Sequence, residues 1–243
     1  MPESRHADER RISRRSFLRK LTGFSAAAFA GSNLLEACSP PPAPPTVAPT
    51  APSPVKPSPA PATTSPATLS ETLKKRKSTN VFQSQSLPKE KLLDLLWAAW
   101  GINRPDSGKR TAPSAMNAQE IDIYVLTSEG AFVYDAKGNQ LTAVLAQDLR
   151  AKAATMASMK DAPVHLVFVA DYAKFRTTPQ SQKELYSAAH TGFIGQNVYL
   201  YCAAEGLGAH FHTSIDRTGL KDSLKLRDDQ AIVFAQVVGY PKE

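Results

Sequence analysis

The chain has 243 residues, with 29 Lys or Arg against 22 Asp or Glu and a formal net charge of +7. That surplus excludes little by itself. Residues 1–37 hold seven of the basic residues and four of the acids, and the remaining +4 is dispersed, whereas nucleic-acid binders cluster their cations. With only Cys38 and Cys202, no disulfide framework can form if Cys38 is used otherwise. The stretch beyond the proline tract, about 175 residues, suffices for one domain with its own core.

The N-terminus reads Ser13-Arg14-Arg15-Ser16-Phe17-Leu18-Arg19, followed by an apolar run from Leu21 to Leu35 that Gly23, Ser25, Gly31, Ser32 and Asn33 interrupt. The run falls short of the ~20 apolar residues of a spanning helix. Residues 1–37 resemble a twin-arginine export signal, a route taken by proteins that fold before export, often around a cofactor. Leu34-Leu35-Glu36-Ala37-Cys38 resembles a lipobox, with Glu36 in place of the usual small or apolar residue, and makes Cys38 the candidate lipidation site. The resemblance implies a periplasmic protein held to the membrane by a lipid anchor. Residues 38–68 are rich in Pro, Ala, Ser and Thr, a composition that favours extended polyproline II and suits a tether of ~3.1 Å per residue.

The domain is expected over residues 69–243. Ser70 is positioned to cap a short helix through Lys75, and Lys74-Lys75-Arg76-Lys77-Ser78-Thr79 follows as a basic cluster with hydroxyls, able to grip a phosphate by charge-assisted hydrogen bonds. A solvated helix end is the plain alternative. Pro88 opens a second helix with an apolar face of Leu92, Leu93, Leu95, Leu96, Ala99 and Trp100, and Trp97 is expected in the core with it. Residues 101–108 read as a loop, and the small polar stretch 112–119 leads into strands over 121–127, 131–135 and 140–145. A helix is expected over 147–159 and a buried strand over 163–170, with His165 a satisfied core residue. The longest helical pattern, 180–207, is apolar around much of its circumference and suits a helix buried on several sides, in the domain or at a subunit interface. An extended segment over 209–216, a short helix over 217–226 and a last strand over 231–238 complete an α+β fold of four or five strands in mixed order, with helices on both sides.

Three motifs carry a resemblance to the flavin-dependent nitroreductase family: Arg76-Lys77-Ser78-Thr79, Pro113-Ser114-Ala115-Met116-Asn117-Ala118-Gln119, and Gly195-Gln196-Asn197 with Cys202-Ala203-Ala204-Glu205-Gly206-Leu207-Gly208. The resemblance covers roughly residues 69–241, and the segment from Trp97 to Pro105 with Ala112-Pro113-Ser114 is most similar to the branch of peptide-azoline oxidases and their dehydrogenase relatives. It implies a nitroreductase-like mixed central sheet flanked by helices, and a homodimer with FMN at the interface. By the same resemblance Arg76, Lys77 and Ser78 would hold the ribityl phosphate and polar edge of the flavin. Pro113, Ser114, Ala115 and Asn117 would pack on the ring system from the other subunit, and Thr213 and Ser214 would present backbone groups to flavin N5. Small residues permit close ring approach, and the Asn117 amide offers both a donor and an acceptor. Asn80 stands where many relatives have Lys or Arg near the flavin N1/O2 region, Lys242 alone is available where relatives carry a basic tail, and His190 occupies a position often held by Asp.

No acid–base set of the Ser-His-Asp kind is evident, and such flavin chemistry needs none. His210 and His212 share one face of a strand, but no third or fourth ligand is apparent, so no metal is expected. Either histidine is a candidate proton donor to substrate. The reading is an exported FMN oxidoreductase cycling between an electron donor and a small organic acceptor, or oxidising a small-molecule substrate directly. Export argues for a periplasmic electron carrier as donor as readily as NAD(P)H. The alternatives are a tethered flavin- or ligand-binding lipoprotein without turnover and a purely structural envelope protein.

Overall fold

A computed structural model describes residues 67–242. The twin-arginine segment, Cys38 and nearly all of the tether lie outside the described residues.

Helix α1 (Leu69–Lys75) is capped by Thr68, not Ser70: its hydroxyl accepts from the Glu71 N–H, and the Glu71 carboxylate accepts from the Thr68 N–H. This reciprocal capping box satisfies two helix-terminal donors at once, which Ser70, already the second residue of the helix, could not do. Helix α2 (Lys89–Trp100) starts after Pro88 and buries Leu92, Leu95, Leu96, Ala99 and Trp100, whose indole N–H donates to the Ile121 carbonyl at 2.8 Å. Trp97 is only half-buried. The segment read as a loop contains a small hairpin, β1 (Ile102–Arg104) and β2 (Lys109–Arg110), turned by Gly108 at φ 62°.

The main sheet comprises β3 (Ile121–Thr127), β4 (Gly130–Asp135), β5 (Gln140–Leu145), β6 (Val164–Asp171), β7 (Gly208–His212) and β8 (Gln230–Gly239), in the order β5-β4-β3-β6-β8-β7. These six strands pair antiparallel. The parallel component that makes the sheet mixed is the bridge between Ser78 and Ala209 on the outer edge of β7.

Alternation along the strands divides two cores. Ile121, Ile123, Val125, Leu166, Phe168, Ala170 and Val238 face α2 and the 25-residue α4 (Gln180–Ala204). Val167, Val169, Ile232 and Ala235 face the other way with Leu220 and Leu224 of α5 (Arg217–Leu224) and Ala153 of α3 (Arg150–Ala153). The helix expected over 147–159 shrinks to α3, and residues 154–162 instead form turns whose Ala154, Met159 and Ala162 pack on Val237. Apolar side chains there cover a sheet end, and that burial overrides helical propensity. Gly195 lets α4 approach the sheet: a Cβ there would sit 2.6 Å from the Phe211 ring.

His165 is fully buried, as expected, but among the described residues neither ring nitrogen makes a hydrogen bond of good geometry, and the Ala162 backbone compensates only in part. Burial, with Arg150 and His212 nearby, draws its pKa down to about 3, so it is neutral.

Candidate flavin site

The first motif lies along the free edge of β7. The Thr79 N–H donates to the Ala209 carbonyl at 2.9 Å, and Gly208 permits the approach, since a Cβ there would meet Thr79 at 2.8 Å. Arg76 rests its guanidinium 5.2 Å from the centre of the Tyr199 ring. Ser78 Oγ lies 2.9 Å from the Tyr199 hydroxyl, which also accepts from the Phe211 N–H at 2.9 Å. Tyr199, projecting from α4, thus ties the motif to the sheet edge. Beside it is a cavity of about 400 Å³ lined by Lys75, Lys77, Tyr199, Cys202, Gly206 and Pro241 among others, and no carboxylate lines it. The backbone of Lys242 joins the same region, its N–H donating to the Val81 carbonyl. Asn80 is exposed. Cys202 is no nucleophile, because burial pushes its thiol pKa up and keeps it protonated.

The second motif is built differently. Of the five non-glycine residues with positive φ among the described residues, Met116, Asn117 and Gln119 fall within this one loop. A left-handed backbone costs about 1–2 kcal/mol per such residue, so the loop must be held by its surroundings. Ser114 closes it, its hydroxyl accepting from the Gln119 N–H and its carbonyl from the Asn117 N–H. Gln119 anchors it to Arg110 at 2.7 Å and to the Gly108 carbonyl. The Asn117 amide oxygen accepts from Gln119 Nε2, which orients the amide and leaves its N–H groups and the second lone pair of its oxygen for a ligand.

The deepest anchor is His190. Its Nε2 accepts from the Ala115 N–H at 2.8 Å, and its Nδ1 lies 2.6 Å from Glu120 Oε1. Ala115 supplies a proton, so Nε2 must carry the lone pair and Nδ1 the hydrogen given to Glu120. Glu120 is wholly buried and also accepts from Ser187 at 3.0 Å, while its Oε2 has no partner. This carboxylate–imidazole–amide chain runs from the start of β3 through α4 to the loop. In the sequence His190 stands out only as a departure from relatives, and Glu120 belongs to no motif. An acid flush against the apolar run of β3, without a partner nearby in the chain, was the available signal.

Thr213 and Ser214 leave the end of β7 with their carbonyls engaged by Arg217 and by the Thr155 N–H, and the Ser214 N–H meets no acceptor among the described residues. It is a free backbone donor at the place expected for one. His210 and His212 share the sheet face opposite α4, with ring centres 6.3 Å apart. Burial draws the His212 pKa down to about 4, and that of His210 down as well. Among the described residues no group of three or more His, Cys, Asp or Glu side chains is placed to hold a metal ion.

Arg76, Lys77, Ser78 and Asn80 therefore lie together with the sheet edge that leads to Thr213 and Ser214, whereas Pro113, Ser114, Ala115 and Asn117 do not join them within one chain. Tyr199 and His190, which hold the two motifs, are nine residues apart on α4, about 14 Å along its axis. The donor set suits a flavin phosphate and polar ring edge: unpaired cations around an acid-free cavity, a free amide, a free backbone N–H and small side chains on a rigid loop.

An α+β sheet of this order, with a cation-bearing segment along its β7 edge and a rigid Pro-Ser loop, is a nitroreductase-type fold. The profile of the Nitroreductase family matches residues 73–240, and the chain belongs to that family, which places it among the oxidoreductases. A crystal structure of a provisionally named nitroreductase from Ralstonia eutropha is 38% identical, with a TM-score of 0.69 over 76% of this chain and 88% of that one. A provisionally named nitroreductase of Methanocaldococcus jannaschii is 26% identical over 171 residues, 66% of this chain and 85% of its own length. The microcin synthetase complex of E. coli shares the fold, with a TM-score of 0.62 at 16% identity over 76% of this chain and 77% of that one.

Proposed function

We propose that the protein is an exported, FMN-dependent oxidoreductase in which two chains complete each flavin site. The observation that carries this reading is the separation of the two half-sites along α4. Between and around them, α4 leaves Leu185, Ala189, Gly192, Phe193 and Gln196 uncovered, with Leu185 66% and Phe193 47% exposed. This stripe follows the helical repeat and, but for Gln196, is apolar or small, which suits packing against a second copy. Antiparallel pairing of two α4 helices would carry the Pro113–Asn117 loop of one chain to the Arg76–Asn80 edge of the other.

In this site Arg76 and Lys77, with Lys75 and Lys242 beside them, neutralise the phosphate, Arg76 exchanging its Tyr199 contact for a charge-assisted bond. Ser78 and Asn80 bind the polar edge, the Ser214 N–H and the neighbouring Thr213 backbone address N5, and the partner loop covers the rings with Pro113, Ser114, Ala115 and the Asn117 amide donors. When bound, FMN supplies the two-electron chemistry, and the protein supplies position, exclusion of water and electrostatics. Asn80 adds no positive charge near the ring edge, which favours a less stabilised reduced flavin than a Lys would give. The signal-like N-terminus and Cys38 support a periplasmic site of action on a lipid anchor, and in that setting the donor is a periplasmic electron carrier or the substrate itself. The likeness of residues 97–105 to the azoline-oxidising branch favours direct substrate oxidation as the second mode.

Mass in solution with and without FMN tests this reading. A dimer binding two FMN is expected, and a monomer with flavin fully bound would contradict it.

A further inference from the structure

A second basic pocket lies on the β1–β2 hairpin, at the foot of the Pro113–Asn117 loop. It has a volume of about 250 Å³, and its wall includes Arg104, Lys109, Arg110, Ser114, Asn117 and Gln119. Three of these are cations and none is a carboxylate. Arg110 is fixed rather than trailing in solvent: its guanidinium lies 4.8 Å from the centre of the Trp100 ring, Nε donates to Gln119, and Nη1 donates to the Trp100 carbonyl. Its Nη2 is left over. Arg104 is held by bonds from Nε to Asn103 and from Nη2 to the Arg110 carbonyl, which leaves Nη1. Lys109 is exposed, and among the described residues its ammonium donates no hydrogen bond.

No acid answers this charge. None of the three forms an ion pair among the described residues. Asp122 and Asp135 act on Arg110 only from beyond ion-pair distance, and Asp122 is already bound to Lys174 at 2.7 Å. A solvated hairpin rim accounts for Lys109 alone. It does not account for an arginine that lines a cavity, lies over a buried tryptophan and is braced by two further bonds. Nor does the flavin phosphate account for the pocket, because FMN carries one phosphate and the Arg76–Lys77 edge already provides for it.

We propose that this pocket receives the anionic group, a carboxylate or a phosphate, of the small molecule on which the site acts. Two guanidinium donors and an ammonium suit a planar or tetrahedral oxyanion. The Asn117 amide donors and the Ser114 side chain lie on the same wall, so the anion would be anchored next to the loop that covers the flavin. The assignment of the anion to the substrate rests on the proposed flavin function; the affinity of the pocket for an anion does not.

The stacked Trp100 provides the readout. The full chain, loaded with FMN, is titrated with benzoate, with phenyl phosphate and, as control, with chloride at constant ionic strength, following tryptophan fluorescence. A saturable change with benzoate or phenyl phosphate but not chloride is expected, and the tighter of the two identifies the carboxylate or phosphate source. Arg104→Ala with Lys109→Ala should weaken the binding at least tenfold while the FMN spectrum and melting temperature stay unchanged. Lys109→Glu, which breaks no hydrogen bond, should weaken it as well should the double variant fold poorly. A response that does not saturate, that chloride reproduces, or that Lys109→Glu leaves intact overturns the proposal. If the wild type binds no FMN, the flavin reading fails, and the same titration on the FMN-free chain still decides whether the pocket holds an anion. Where turnover is measurable, Lys109→Glu should raise KM for an anionic substrate and leave kcat and the kinetics of an uncharged analogue unchanged.

Discussion

The two halves of the candidate site are built on opposite plans. The 113–119 loop is finished before any ligand arrives: strained backbone, every anchor bonded, and a buried carboxylate and imidazole fixing it from beneath. The Arg76–Asn80 edge is unfinished, with exposed cations, an acid-free cavity and an arginine parked on an aromatic ring. The first half gains affinity by preorganisation and the second by charge that only a ligand neutralises. Substitutions in the two halves should therefore differ in kind. Those in the loop should cost stability and ligand affinity together, and those at the edge should cost affinity alone.

The largest effect is expected from His190→Ala, which removes one hydrogen bond from the wholly buried Glu120 and releases the Ala115 N–H. Leaving such buried groups unsatisfied costs about 1–3 kcal/mol each, so melting should fall by several degrees, and FMN affinity should fall with it. Unchanged melting would show that the loop does not depend on this chain of bonds. Arg76→Ala should do the reverse, weakening FMN binding by roughly 10- to 100-fold while chemical denaturation remains superimposable on wild type. A comparable loss of stability would erase the contrast between the halves.

The sheet face away from α4 gives a third, intermediate test. His165 and His212 are held neutral with folded pKa values of about 3 and about 4. These lie below the unfolded value, so the unfolded chain binds the extra protons, and stability is full above about pH 6.5 and declines as pH falls towards 4. Near pH 5 each histidine should have withdrawn about 2 kcal/mol. Urea denaturation at pH 7 and pH 5 measures this, and His165→Asn should flatten the dependence. Equal stability at both pH values would mean that these rings are not buried neutral. The smallest effect is expected from Lys242→Ala. Its tie to Val81 is through the backbone and survives, so FMN affinity should drop only a few-fold. A loss as large as that of Arg76→Ala would make Lys242 a principal phosphate ligand.

The edge was more legible in the sequence than the loop's support. Arg76, Lys77 and Ser78 announce themselves by residue type and adjacency, and β3 and β5 were bounded correctly by turn residues and alternation. Glu120 and His190 lie 70 positions apart, and no local pattern pairs them. Tyr199, which no motif singles out, fastens the first motif to β7 through its hydroxyl. The helix expected through Met159 failed because its apolar residues cap a sheet end rather than line a helical stripe. His165 was rightly placed inside, but its lack of a hydrogen bond of good geometry depends on what loop 154–162 presents to it, which residue type does not reveal.

A redox-active flavin held by both halves shows itself in the absorbance spectrum of the purified protein, incubated with FMN and desalted, before and after dithionite. Flavin bands at one FMN per chain are expected, bleached by dithionite and restored by air. A colourless protein after the same treatment would contradict the flavin site.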